Sequence, residues 1–93
     1  MGVGGNDHKS AEQLHQESAD ASRQITLGAT YAHYKDPAKH YKVTQFVVLE
    51  ATDQIGVVYQ ALYDPELSFV RAVDIWLETV EWNGQTVPRF TKL

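Results

Sequence analysis

Two histidines in a doubled triplet are the first side chains of this sequence that could bind a ligand. His33 and His40 each open a His-Tyr-Lys triplet, at 33–35 and at 40–42. A structural zinc site takes four ligands, and the lysines beside these histidines repel a cation. We therefore predict neither a metal site nor a cofactor.

Arg71 is the charged residue whose surroundings are the most unusual. It lies in the apolar run FVRAV, so its stem should be buried and its guanidinium should need a partner. One interpretation is a structural ion pair with Asp74 or Glu78. The other is a contact with an anion at a cleft, and the sequence leaves both open.

The remaining polar residues offer little for catalysis. Glu78 and Glu81 could act as an acid and a base, but they fit the solvent face of a hairpin better. No glycine-rich phosphate loop is present, since the glycines at 2, 4 and 5 precede no suitable strand and helix. The serines lack a nucleophile motif; they lie in the N-terminal segment or beside a turn: Ser10, Ser18, Ser22 and Ser68. We predict no catalytic residue.

The elements that would position these groups begin near residue 28. All ten aromatic residues lie in 28–93 and none in 1–27. Aromatic side chains supply much of the burial energy of a small core. We therefore expect a folded domain over 28–93, preceded by a tail over 1–27. Ser10 and Gln13 fit a capping box, which predicts a helix over about 10–24 in that tail.

From residue 28 onward the residue pattern predicts short β-strands separated by turns. Asp36–Lys39 is predicted to close a hairpin in which Tyr34 faces Tyr41, and Asn83-Gly84 to close a second one. One helical turn is expected over 74–77. The predicted strands are 29–35, 41–50, 57–63, 67–71, 78–82 and 85–90. Such a set favours an all-β small barrel or roll.

The strand VVYQALY (57–63) is apolar on both faces. One face carries Val57, Tyr59, Ala61 and Tyr63. The other carries Val58, Gln60 and Leu62, which must be covered by the N-terminal segment, a second copy or a ligand. The sequence therefore leaves a homodimer open.

Composition restricts the class of partner. The net charge is −4 and the pI about 5.4, which argues against a generic nucleic-acid binder. The chain has no cysteine, and no apolar run approaches the roughly 18 residues of a membrane helix. The N-terminus lacks the apolar core of a secretory signal. We expect a cytoplasmic protein that does not enter a membrane.

The order of these motifs resembles the domain of unknown function family 1653 over roughly residues 28–91. The resemblance rests on YAHYK (31–35), VVYQALY (57–63), Val70-Arg71 and VPRF (87–90). It implies an SH3-type small barrel with no assigned activity. Only the first His-Tyr-Lys triplet matches the family, so His33 is the histidine to test. Ala72 stands where members usually have proline, and Leu49 where they often have histidine.

We interpret the chain as a binding or interaction module without catalysis, whose partner is a protein or a small ligand. Its expected surface combines exposed aromatic rings with a histidine and an arginine: Tyr31, His33, Tyr34, Tyr63, Arg71 and Trp76. The alternative is a nucleic-acid-associated SH3-like module, by fold analogy. That alternative needs a positive patch of Lys35, Lys39, Lys42 and Arg71. A small-molecule enzyme comes third and needs convergent titratable groups in a pocket.

Overall fold

A computed structural model describes residues 8–93, which form two helices and seven strands. In chain order the elements are α1 (Ala11–Gln24), β1 (Thr30–His33), β2 (Asp36–Leu49), β3 (Gln54–Ala61), β4 (Ser68–Ala72), α2 (Val73–Trp76), β5 (Thr79–Trp82), β6 (Gln85–Pro88) and β7 (Phe90–Lys92). No helix in this part of the chain is long and apolar enough to cross a membrane.

The predicted N-terminal helix is confirmed. The Ser10 side chain accepts a hydrogen bond from the Gln13 main-chain N–H at 3.1 Å, which caps α1. Just before the helix, the Asp53 carboxylate accepts bonds from the Lys9 N–H at 2.8 Å and from His8 Nδ1 at 3.0 Å. At the other end Ile25 is fully buried in the core. The helix is therefore tied to the β-structure at both ends, while the glycines of the predicted tail lie outside the described residues.

The strands form two antiparallel sheets. The larger sheet has the order β4-β3-β2-β1-β7, and β5 pairs only with β6. The prediction of a mostly β fold is confirmed. Because β5 and β6 leave the main sheet as a separate hairpin, β4 and β7 are edges, and the described strands form no closed barrel. The SH3-type description stays a prediction.

The predicted register of the first hairpin is wrong. Tyr34 and Lys35 form the turn, which places His33 opposite Asp36. Residues 37–39 are then taken up by an irregularity in β2, and Tyr41 pairs with Tyr31 rather than with Tyr34. The two histidines are therefore not diagonal neighbours, since His40 lies opposite Ala32. An Asp-Pro pair suits a turn, but a bulged strand also tolerates it.

The second hairpin is confirmed. Asn83 and Gly84 have φ values of 54° and 79°, and Trp82 pairs with Gln85 across them. Asparagine and glycine are the residues that this left-handed conformation favours. The predicted helical turn is also found, one residue earlier, as α2.

The core lies on one face of the larger sheet. Buried side chains come from the end of α1, from four strands and from α2: Ile25, Tyr31, Val43, Val57, Tyr59, Trp76 and Phe90. In β3, the face of Val57 and Tyr59 is buried as predicted, whereas Val58 and Gln60 are half-buried. The second face of this strand is thus only partly covered within the described residues.

Candidate functional site

A cleft of about 210 Å³ opens on the core face of the larger sheet. We call it the aromatic cleft. It is lined by residues from β1, β2, β3, β4 and β7: His33, Tyr41, Tyr59, Phe69, Arg71 and Phe90. Alternation along β4 directs Phe69 and Arg71 to the same face, opposite Tyr59 and Val57 of β3.

Stacked rings form the floor of the aromatic cleft. Phe90 stacks on Trp76 with ring centroids 3.6 Å apart and an angle of 5° between the planes. Tyr59 meets both rings edge-on, at 5.0 Å from Trp76 and 5.6 Å from Phe90. Because Trp76 and Phe90 are buried, the floor is held in place by the core.

Arg71 is the cation of the aromatic cleft. Its Nε lies 3.4 Å from the Tyr59 hydroxyl, to which it donates, and its guanidinium carbon lies 5.6 Å from the centre of the Phe90 ring. Within residues 8–93, no carboxylate forms an ion pair with it. The guanidinium is therefore stabilised by aromatic rings and not by a carboxylate.

Of the two interpretations of Arg71, the structural ion pair with Asp74 or Glu78 is wrong. Glu78 accepts a hydrogen bond from Arg89 at 3.1 Å, and Asp74 accepts one from Gln54 at 3.3 Å. The Arg71 side chain lies on the cleft face of β4, whereas Asp74 lies on α2 and contacts Gln54 at the start of β3. Proximity in sequence therefore did not produce a contact.

His33 supplies a neutral hydrogen-bonding group. Its Nδ1 accepts from the Lys35 main-chain N–H at 3.2 Å, so the proton of the neutral ring sits on Nε2. Burial, and after it the positive charges of Arg71, Arg89 and Lys35, lower the pKa of His33 below its ordinary value. The ring is therefore neutral at pH 7 and can donate from Nε2.

Two tyrosines form one rim of the aromatic cleft. The hydroxyls of Tyr41 and Tyr63 are 3.2 Å apart. Burial, together with this hydrogen bond, raises the pKa of Tyr41 to about 12. Lys39 lies over the Tyr63 ring at 4.9 Å and 3.9 Å from Asp36. Tyr41 is therefore a neutral phenol at any physiological pH.

Residues 29–92 match the family described as protein of unknown function (DUF1653). The chain belongs to this family. A protein belonging to DUF1653 from Bordetella bronchiseptica has a crystal structure similar to this one, with 32% identity and a TM-score of 0.63. The similarity covers 75% of this chain and 90% of that one. No curated protein matches the chain. All six residues of the aromatic cleft lie in the DUF1653 region, and α1 precedes it.

The structure divides the six predicted surface residues of this DUF1653 domain into three groups. His33 and Arg71 come together in the aromatic cleft, and Tyr63 lies at its rim. Tyr34 packs against Trp82 at 5.2 Å and lines a separate groove. Tyr31 and Trp76 do not fit an exposed surface.

Tyr31 and Trp76 are only 5% and 3% exposed. The Tyr31 hydroxyl accepts a bond from the Thr26 main-chain N–H at 2.9 Å, and its ring meets Trp76 at 5.3 Å. Both are core residues: Tyr31 lies on the covered face of the sheet, and Trp76 is the buried residue of α2 that packs against it.

Four residues of the aromatic cleft were absent from the predicted surface: Tyr41, Tyr59, Phe69 and Phe90. Alternation could have found one of them, since Phe69 must share a face with Arg71. Phe90 carried no such signal. It reaches the cleft because β7 pairs with β1, with Phe90 opposite His33, and this contact joins residues far apart in the chain.

Proposed function

We propose that this DUF1653 domain is a non-catalytic binding module whose aromatic cleft takes a carboxylate attached to a small apolar group. The observation that carries the proposal is the Arg71 guanidinium, which lies among aromatic rings and has no acidic partner within the described residues.

The charge of Arg71 favours an anionic ligand. A half-buried guanidinium has lost part of its hydration, and an aromatic ring replaces only some of it. A carboxylate pairs with a guanidinium through two parallel hydrogen bonds, which makes such pairs strong and directional. In the free protein the terminal nitrogens of Arg71 make no hydrogen bond to residues 8–93, so they remain available for such a ligand.

The neutral His33 ring adds a second donor. Because Nδ1 is occupied by the Lys35 N–H, the proton of the neutral ring is on Nε2, which is available to donate to a ligand. A donor beside a cation suits a carboxylate oxygen and is poorly suited to an ammonium group.

The aromatic rings and the volume of the cleft limit the size of the ligand's apolar group. About 210 Å³ lies below the roughly 300 Å³ at which drug-sized pockets begin, so one ring or a short aliphatic group fits. The side chains of Phe69, Tyr41 and Tyr59 can contact such a group edge-on, as Tyr41 contacts both Phe69 and Tyr59.

The residues that line the aromatic cleft argue for binding over catalysis. None of the six is a serine, threonine, aspartate or glutamate, so the commonest nucleophiles of hydrolases do not line the cleft. His33 and the tyrosines could move a proton, but no second group in the cleft would complete a hydrolytic arrangement.

Phenylacetate and its uncharged analogue phenylacetamide form a matched pair of probes for this proposal. Both carry the same ring, and only phenylacetate carries the charge. We expect phenylacetate to bind with a dissociation constant near 1 mM, as befits a small ligand, and to shift amide resonances of β1, β4 and β7 in two-dimensional NMR spectra. Phenylacetamide should bind about tenfold more weakly or not at all.

A charge-removing substitution assigns the effect to one residue. Arg71→Gln should weaken phenylacetate binding about tenfold or more, the worth of one charge-assisted hydrogen bond. Arg23→Gln is the control, because it removes the same charge from the exposed end of α1. Equal affinity for the two probes, or equal losses in the two variants, would overturn the proposal.

The nucleic-acid alternative and the cytoplasmic location stay predictions. The positive patch that the alternative requires has one of its four cations, Lys39, 3.9 Å from the Asp36 carboxylate. The side chain of Arg71, a second member, is directed into the aromatic cleft. These two positions favour the carboxylate ligand over a polyanion.

A further inference from the structure

Strand β4 has an unprotected edge. It pairs with β3 on one side, and no other strand of residues 8–93 pairs with its second side. Its pairing with β3 runs without a bulge from Gly56–Ala72 to Gln60–Ser68, and it contains neither proline nor lysine. Bulges, prolines and charged side chains are the usual devices that keep an edge strand from pairing, and the one charged side chain of β4, Arg71, is directed into the aromatic cleft.

The direction of the hydrogen bonds shows which residues of β4 face outward. The Ala61 N–H donates to the Leu67 carbonyl at 3.0 Å, so Leu67 directs its main chain toward β3. Antiparallel pairing alternates, and Phe69 and Arg71 must do the same. Ser68 and Val70 therefore turn their N–H and C=O groups away from the sheet. Ala72 turns its N–H outward, but it is the N-cap of α2, so its C=O accepts a hydrogen bond within that helix.

Exposed apolar side chains are concentrated beside this edge. Of the eleven large apolar residues that are exposed, five lie between residues 62 and 70: Leu62, Tyr63, Leu67, Phe69 and Val70. Val70 is 52% exposed. Exposed apolar residues scattered singly are ordinary, but a cluster along an open strand edge is typical of an interface.

We propose that β4 pairs with β4 of a second copy, antiparallel, with Val70 opposite Val70 of the second copy. Two five-stranded sheets then join into one continuous sheet. In this register Ser68 faces Ala72 of the second copy. Val70 then exchanges two hydrogen bonds with Val70 of the second copy, and each Ala72 N–H donates to the Ser68 carbonyl of the other copy. A shift that brought Val70 opposite Ala72 would leave fewer of these bonds, because the strand ends at Ala72.

Charge supports the same register. The register with Val70 opposite Val70 places Phe69 opposite Arg71 of the second copy on the cleft face, and Arg71 opposite Phe69 of the second copy. The guanidinium of Arg71 stays on Phe90, and its aliphatic stem packs against the 39% exposed Phe69 ring of the second copy at each of the two positions. A shift that placed Arg71 opposite Arg71 of the second copy would instead bring two like charges together.

The second copy would also extend the aromatic cleft. Phe69 and Arg71 line that cleft, so their counterparts in the second copy stand beside its open side. The two clefts become neighbours across the joint between the sheets. The pairing itself requires no ligand, and its test is independent of the proposed carboxylate.

Sedimentation velocity of the full chain tests the proposal over roughly 1 µM to 1 mM protein. We expect a monomer–dimer equilibrium with a micromolar constant, as suits a small interface. Val70→Lys should weaken it about tenfold or more, because two lysines then face each other. Val48→Lys is the matched control, since Val48 is exposed to a similar degree but lies on β2, an interior strand.

A charge-swapped pair makes the test specific. Val70→Glu alone should also be impaired, whereas an equimolar mixture of Val70→Glu and Val70→Lys should recover association as a heterodimer. In the wild type, amide exchange at Val70 and Ala72 should slow as protein concentration rises. A monomer over the whole range, equal weakening by Val48→Lys, or a mixture that does not recover would each overturn the proposal.

Discussion

Ile25 lies outside the residues that match DUF1653 and yet is part of the core. It is fully buried, and its N–H donates to the Ala21 carbonyl at the end of α1. Ile25→Ala therefore measures whether the segment before the family region is structurally part of the domain.

The expected cost follows from three carbon atoms removed from a fully buried site. At about 0.8 kcal/mol per carbon, the lost transfer free energy is about 2.5 kcal/mol. The cavity left behind raises the loss in unfolding free energy to about 3–4 kcal/mol, within the range for such substitutions. For a domain of this size the melting temperature should fall by roughly 12–30 °C.

Urea unfolding followed by tryptophan fluorescence provides the assay, because Trp76 lies in the same core cluster as Ile25. The unfolding midpoint should move to lower urea while the slope with urea stays unchanged. Leu27→Ala is the control: Leu27 is 57% exposed two residues further on, and its loss should cost less than about 0.5 kcal/mol. If the two variants lost equally little stability, the packing of Ile25 against the sheet would be refuted.

Two further substitutions test local features of the fold. Gly84→Ala should cost about 1–2 kcal/mol from backbone strain alone, because Gly84 has φ = 79° and an added Cβ would meet no atom within 4 Å; an unchanged urea midpoint would contradict this. The Lys9 N–H, and after it His8, hold the pKa of the Asp53 carboxyl below its usual value. Because that pKa is lower in the folded than in the unfolded chain, the stabilisation is present above about pH 5 and is lost as the pH falls through the folded value. Asp53→Asn, which keeps a side chain suited to the φ of 59° at this position, should therefore lose less stability on acidification than the wild type; parallel pH profiles in urea unfolding would argue against the contact.

Local signals predicted the elements that local chemistry controls. Ser10 caps α1, and Asn83-Gly84 closes a hairpin, because each requirement is met by residues next to each other in the chain. Alternation along β3 also assigned Val57 and Tyr59 to one face and Val58 and Gln60 to the other. These features need no knowledge of what packs against them.

The register of the first hairpin could not be predicted in this way. The turn at Tyr34–Lys35 has no positive φ, so it requires neither glycine nor asparagine and leaves no mark in the sequence. Asp36-Pro37 carried the stronger turn signal, but it lies in a bulged part of β2. On its other side β1 pairs with β7, which lies far away in the chain, and turn propensities do not predict such a pairing.

The sequence by itself determined that this chain would form a capped helix, several short antiparallel strands and an aromatic core, since propensity, capping and alternation act over a few residues. Tertiary structure alone decided that Tyr31 and Trp76 are buried and that Arg71 lies on Phe90 rather than beside an acid. It also decided that His33 shares a cleft with Arg71 and Phe90. Period-two alternation assigns a side chain to a face of a strand. It does not say which face is covered, and that depended on how α1, α2 and β7 pack on the sheet.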